Sequence, residues 1–356
     1  MLSEMLSELN SNEWRCILAK FKNVLPDVYY YPEYYDTWRG YEQAEPCCLY
    51  VRESDAHFIY PFFKKPIHGY GTFRQYFDIY SAYGYGGLLC SVVDPDESIV
   101  NDVNQQIDEW CNEQYIVAEF IRENYVHEYK GRCLRKAKHL HIRTNVYSDL
   151  TVEDHNLLSR HARRDVNFAA RAGLTSSVVD GHCYCDDFYK MYFDTMKRIN
   201  ADNNYFFPKE YFSSLWRMKS LNPELILISN DKPVASAICF NVGHNYIYHL
   251  SASWSESLKT RPNDFLLYSI IQRAREVGKG YVFWGGGLTN DEDDSLFRFK
   301  SKYANISIPC HIGLKIHQDD IYQKLCESWE IAYPHMVKRY GNFLLKYRYT
   351  SQGGGV

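Results

Sequence analysis

Long apolar runs are missing from this sequence: no segment approaches the ~20 consecutive apolar residues of a membrane-spanning helix. The opening stretch, MLSEMLSELNSNEWRCILAKF, carries acids where a secretory leader carries positive charge, so the chain reads as soluble and cytoplasmic, with no membrane span. An excess of one charge is missing too. With 40 Lys plus Arg against 44 Asp plus Glu, nothing in the total favours a DNA partner or an anionic surface, and any polyanion site must be local. The 11 cysteines are odd in number and irregularly spaced, which argues against a disulfide framework and for reduced thiols. Their one metal-like cluster, His182-Cys183-Tyr184-Cys185-Asp186-Asp187, has no second ligand pair at a set distance, so no metal is expected. Pro- or Ser-rich linkers, low-complexity tracts and heptads are likewise absent.

What the sequence does have is aromatic side chains, 16% of the total, with 32 Tyr. Tyr joins an apolar body to a polar tip, which suits clefts that hold sugars or peptides and equally suits ordinary cores. A chain of 356 residues is expected to form two domains. They are placed at 1–150 and 151–335, the second opened by interdomain helices over 153–220, with a C-terminal tail over 336–356 that ends in SQGGGV. Strand-like runs at 47–53 (CCLYVRE) and 57–64 (HFIYPFFK) flank the turn Ser54-Asp55-Ala56 and form a hairpin. A strand ending at Asp78-Ile79-Tyr80 follows, then a glycine loop, then a helix opened by DPDES with Ile99, Val103, Ile107 and Trp110 on one face, then a strand at 115–121. The same order recurs later: a hairpin of 225–229 and 234–242, a strand at 245–253, and a polar loop at 254–263. A helix with Leu267, Ile270, Ile271, Ala274 and Val277 inward and a strand at 281–284 complete it. Between the halves, 153–172 reads as one helix with Leu158, Ala162, Val166 and Ala169 inward, and further helices are expected within 186–201 and 209–219.

Hairpin, strand, loop, helix, strand is the element order of the GNAT acyltransferase fold. In that fold the central strands splay apart, and the donor's phosphates meet the N–H groups and dipole of the following helix. Neither half keeps the usual phosphate cradle. Gly84-Tyr85-Gly86-Gly87 is separated from its helix by Asp94, Asp96 and Glu97, and 257–263 (SLKTRPN) offers Arg261 without glycines. A doubled GNAT-like core with a degraded loop resembles the FemABX family, and so do 296–303 (LFRFKSKY), 159–173 (SRHARRDVNFAARAG), Thr195-Met196-Lys197-Arg198 and Tyr205-Phe206. The resemblance spans most of residues 45–315 and implies a mixed α+β class with tandem GNAT-like domains, each a mixed central sheet with flanking helices. Family members transfer an amino acid from aminoacyl-tRNA to an amine on a peptidoglycan precursor. The stretch DVYYYPEYYDTWRGYEQ departs from the family's precursor-binding region. Together with DIYSAYGYGG, it is more similar to FemAB-like proteins of surface-polysaccharide synthesis.

The resemblance therefore implies an acyl- or aminoacyltransferase acting on a free amine of a glycan or peptidoglycan precursor. No cofactor would be tightly bound, and the donor would be either acyl-CoA or aminoacyl-tRNA. Two alternatives stand beside it: an acyl-CoA-dependent N-acetyltransferase acting on a nucleotide-linked amino sugar, and a non-catalytic binding member of the fold. Acyl transfer to an amine needs a proton acceptor, and positive charge where the carbonyl oxygen becomes negative. Lys300, beside Phe299, is expected to supply that charge, and Tyr248 or His249 to relay the proton. Strand alternation sends these two neighbours to opposite faces, so only one can face a cleft. Arg163 and Arg164 are expected to meet a phosphate, with Tyr205, Asn263 and Asp264 as further binding candidates. Asp78, Tyr83 and Tyr85 are expected on the acceptor side. Trp284-Gly285-Gly286-Gly287 ends a central strand, where glycine permits close backbone approach.

Overall fold

The structure, a computed structural model, describes residues 4–69, 74–126, 129 and 132–350, so the end of the expected tail, 351–356, lies outside the described residues. It divides into two compact units, Met1–His141 with His311–Val356, and Ile142–Cys310. The chain passes between them inside two strands, Lys138–Asp149 and Ile306–Ile316, and not at a boundary near residue 150.

The first unit is built on the strand order Glu4–Glu8, Glu45–Glu53, Ala56–Pro66, Phe77–Tyr80, Ile116–Arg122, with Ile312 to Ile316 antiparallel on the last of these. The hairpin forms where the alternation places it: Glu53 pairs Ala56, and Ser54 takes the left-handed turn conformation at φ 56°. Phe77–Tyr80 and Ile116–Arg122 run parallel, connected through the helix Glu97–Glu113. Asp96 accepts the Ser98 N–H at 2.7 Å, so one of the acids after the glycine loop serves as the helix cap. The helix buries Val100, Val103, Ile107 and Trp110. Residues 345–349 of the expected tail pack into this unit. Leu345, Tyr347 and Tyr349 are buried, and the Trp329 indole donates to the Tyr349 carbonyl at 2.7 Å.

The second unit has the order Lys138–Asp149, Tyr281–Gly286, Asn245–Ser253, Lys232–Asn241, Pro223–Asn230, Thr175–Val179. Its core joins the sheet residues Ile226, Ile228, Ala235 and Ala237 to Leu267, Ile270, Ile271 and Ala274 of the helix Pro262–Glu276. Ala162, Val166 and Ala169 of the basic helix Arg160–Arg171 complete it. The single helix expected over 153–172 is broken into Asp154–Leu157 and Arg160–Arg171. Ser159 causes the break. Its hydroxyl accepts the Ala162 N–H at 3.1 Å, and its own N–H donates to the Lys302 carbonyl at 2.9 Å, so a fresh N-terminus starts inside a continuous apolar stripe.

Candidate functional site

In the second unit Asn245–Ser253 and Tyr281–Gly286 run parallel, but they pair only from Asn245 with Tyr281 to Ile247 with Phe283. Beyond that point each strand keeps its outer neighbour: Gly285 and Gly286 stay on Val146 and Asn145, and Tyr248 stays on Cys239. The two strands part where Tyr248 and Trp284 sit, and backbone groups between them lose their sheet partners. The Gly286 carbonyl is one such group, and it accepts a hydrogen bond from Lys300 Nζ at 2.9 Å.

Lys300 lies on the short helix Ser295–Ser301, started by Asp294. One Asp294 oxygen accepts from the Leu296 and Phe297 N–H groups at 2.9 Å each, and the other from Leu288 and Thr289 at 2.8 and 3.0 Å. One carboxylate thus ties the helix start to the loop that leaves the sheet. Glycine is needed along that loop. A Cβ on Gly286 would stand 2.7 Å from the Thr144 carbonyl oxygen, and one on Gly287 would stand 2.6 Å from Asp294 Oδ1. The result is a lysine only 8% exposed, with Nζ 5.6 Å from the centre of the Tyr248 ring. Burial, helped by the Arg143 charge and opposed by Asp294, lowers the Lys300 pKa to about 7.

Of the neighbours Tyr248 and His249, the structure brings Tyr248 to Lys300. The Tyr248 hydroxyl is hydrogen-bonded to Ser251, its ring meets Trp284 edge-on at 5.5 Å, and burial pushes the phenol up to about 12. His249 is not brought to Lys300. It packs against Phe240 at 5.1 Å, its Nε2 is hydrogen-bonded to the Tyr211 hydroxyl, and burial lowers it to about 3. Phe299 meets Tyr303 edge-on, and the Tyr303 hydroxyl donates to Asp264 at 2.7 Å. Asp264 is thereby engaged inside the first turn of Pro262–Glu276, and burial raises its carboxyl. Asn263 is half-buried in the same turn. Arg163 and Arg164 are exposed, and Arg164 donates to Asp165 at 3.0 Å. Tyr205 closes a short turn, and its carbonyl accepts from the Tyr192 hydroxyl at 2.9 Å.

Asp78, Tyr83 and Tyr85 belong to the other unit. Asp78 is fully buried and engaged by the chain itself, accepting from Tyr347 at 2.8 Å and Arg348 Nε at 2.7 Å. Tyr85 is buried against Tyr29, and the Tyr83 ring lies 5.1 Å from Trp38. In the glycine loop, Gly84 has φ 101°, and a Cβ there would stand 2.4 Å from the Tyr29 ring. These glycines let the loop pack on tyrosines.

Sequence reasoning missed Arg143 and the Gly286 carbonyl. The first sits in a strand with no local signal, and the second becomes available only because two distant strands part. Asp294 had a signal, since the run DEDDS stands at a helix start.

Among the described residues no helix is long and apolar enough to cross a membrane. Residues 159–300 match the family model for an acetyltransferase (GNAT) domain. No significant match is found among curated protein sequences. Among solved structures, FemX is similar at TM-score 0.70 and 14% identity, over 91% of this chain and 99% of that one. The C-terminal domain of an Agrobacterium fabrum protein assigned as a lysylphosphatidylglycerol synthetase is similar at TM-score 0.54 and 15% identity, over 90% and 98% of the two chains. A Bacteroides thetaiotaomicron protein of unknown function is similar at TM-score 0.56 and 10% identity, over 87% and 98%. The parting parallel strands, the repeated element order and these likenesses converge: the chain has a tandem GNAT-like fold similar to the structure of FemX, and its residues 159–300 match the acetyltransferase (GNAT) domain model.

Proposed function

We propose that the chain is an acyltransferase that moves an acyl or aminoacyl group onto an amine of a cell-surface polysaccharide or peptidoglycan precursor, with Lys300 at the reacting carbonyl. One observation carries this reading: a nearly buried lysine hydrogen-bonded to Gly286 where two parallel strands part. An ammonium held there meets a developing oxyanion in a place of low dielectric, where fixed charge is most effective. Tyr248, beside it, keeps its proton throughout the neutral range and serves as a hydrogen-bond donor. Arg163 and Arg164 are proposed to hold a phosphate of the donor, which both coenzyme A and tRNA supply. A second reading, with acetyl-CoA as donor, is favoured by the match of 159–300 to an acetyltransferase model.

The test supplies labelled acetyl-CoA or charged tRNA with a panel of amine acceptors: amino sugars, peptidoglycan peptides and, given one structural neighbour, a lipid-linked acceptor. One donor is expected to lose its label to an acceptor, and its identity separates the two readings. Lys300→Met should lower kcat by about 100-fold or more with the circular dichroism spectrum unchanged. In the wild type kcat should fall as pH rises above about 7, because the ammonium is then lost. Transfer of label from neither donor, or full activity in Lys300→Met, would refute the proposal.

A further inference from the structure

Two groups of Cys, His and carboxylate ligand atoms lie within 4.8 Å of one another among the described residues, both in the unit that contains Met1–His141. In the first group, Cys111, Glu119 and His317, the carboxylate is already satisfied. Glu119 receives two bonds from Arg135 and one from Tyr60 at 2.7 Å each, and lies 2.8 Å from His317 Nε2. A further cation has no place there.

The second group, Glu123, Cys133 and His139, differs. Glu123 is 7% exposed, and its Oε1 has no hydrogen-bond donor. His139 Nδ1 has no hydrogen-bond partner either, and it stands 3.5 Å from that oxygen. The other ring nitrogen, Nε2, is 3.1 Å from the Arg135 carbonyl oxygen, which can only accept. In the neutral ring that contact assigns the proton to Nε2 and leaves a lone pair on Nδ1. Two lone pairs then face each other in a buried place beside a thiol. Glycines keep the space open: a Cβ on Gly87 would stand 2.8 Å from Glu123 Oε2, and one on Gly313 would stand 3.0 Å from Oε1.

We propose that Glu123 Oε1, Cys133 Sγ and His139 Nδ1 bind a divalent transition metal of the zinc class. Sulfur, imidazole nitrogen and carboxylate oxygen are the donors such an ion takes. Bonds of about 2.0–2.3 Å in tetrahedral geometry set ligand atoms roughly 3.3–3.8 Å apart, which covers the 3.5 Å between Oε1 and Nδ1. The Arg135 carbonyl on Nε2 is the supporting contact that orients a metal-bound histidine. Cys133 and His139 also line an open cavity of about 540 Å³, which provides an entry route. Lys136, Lys138 and Lys315 line it too, yet a carboxylate and a thiolate neutralise a divalent ion, so these cations do not oppose the bound state. The ligands lie far apart in sequence from the 182–187 cluster, where adjacency alone had drawn attention. The site is independent of the acyl-transfer reading.

The test uses the full chain stripped of metal and titrated with Co²⁺. Thiolate-to-cobalt charge-transfer absorption should saturate at one equivalent and be lost in Cys133→Ser, and Glu123→Gln should weaken Zn²⁺ binding at least ~10-fold. In the unmodified protein, Zn²⁺ should slow alkylation of Cys133, read by mass spectrometry, and leave the exposed Cys16 and Cys183 unaffected. Equal alkylation of Cys133 with and without zinc, or a cobalt–thiolate band undiminished in Cys133→Ser, would overturn the site and leave a proton between Glu123 and His139.

Discussion

At the scale of single residues, burial acts on His249 and Lys300 in the same direction, with different consequences. His249 is lowered to about 3 among Phe240 and Tyr211, against an unfolded value near 6.5. Between those values the unfolded chain binds a proton that the folded chain does not, so stability is lost as pH falls through this window, by up to about 1.4 kcal/mol per pH unit. His249→Phe removes that term but leaves the Tyr211 hydroxyl without its partner. Urea unfolding should show the variant about 1–2 kcal/mol less stable at pH 7, with the gap closing or reversing by pH 5. Acyl transfer at pH 7 should stay within a few-fold of wild type. A gap that is the same at both pH values would mean that His249 titrates in the folded protein as it does in the unfolded chain. Alternation along NYIYHLSAS said that Tyr248 and His249 part company, and it could not say which faces the gap. The choice is made by elements distant in sequence: Tyr211 on one face, Lys300 on the other.

At the scale of elements, hydrophobic spacing marked most strands and helices and missed their ends. The stripe Leu158, Ala162, Val166, Ala169 runs through the break at Ser159 without a fault, so periodicity alone gave one helix and the capping serine gave two. Capping also governs the helix that carries Lys300. Asp294→Ala frees four N–H groups at once and should cost about 1–2 kcal/mol in urea unfolding. It should also lower kcat under the proposed chemistry, because Lys300 loses its rigid base. Asp294→Asn retains one acceptor oxygen and should recover much of both losses. If Asp294→Ala leaves both stability and kcat intact, the cap does not position the lysine.

At the scale of the whole molecule, the doubled order of elements was legible and the division between units was not. Pattern places a boundary near residue 150 because a helix starts there, whereas contacts divide the chain inside Lys138–Asp149 and Ile306–Ile316. Asp78 shows the same limit: nothing near DIYSAYGYGG announces that its partner is Arg348. Removing that partner leaves a buried carboxylate without its cation. Arg348→Ala should therefore destabilise the protein by about 3–5 kcal/mol in a thermal or urea melt, and adding Asp78→Asn should restore part of the loss. A loss below about 1 kcal/mol would mean that residues 336–350 contribute little to holding this unit together.

The placement of Ile312 to Ile316 on Ile116–Arg122 also sets a timetable for synthesis. A ribosome delivers Ile142–Cys310 as one uninterrupted stretch, so all the strands and helices of that unit emerge together. Its companion has to wait for the later strand while residues 142–310 are made, roughly ten to thirty seconds at ~5–20 residues per second. Through that interval Ile116–Arg122 presents an open, largely apolar edge, the kind of surface that invites pairing with another chain. The flanking unit is thus begun before Ile142–Cys310 and finished after it, and a nascent chain stalled between residues 141 and 311 is expected to aggregate more readily than the completed protein.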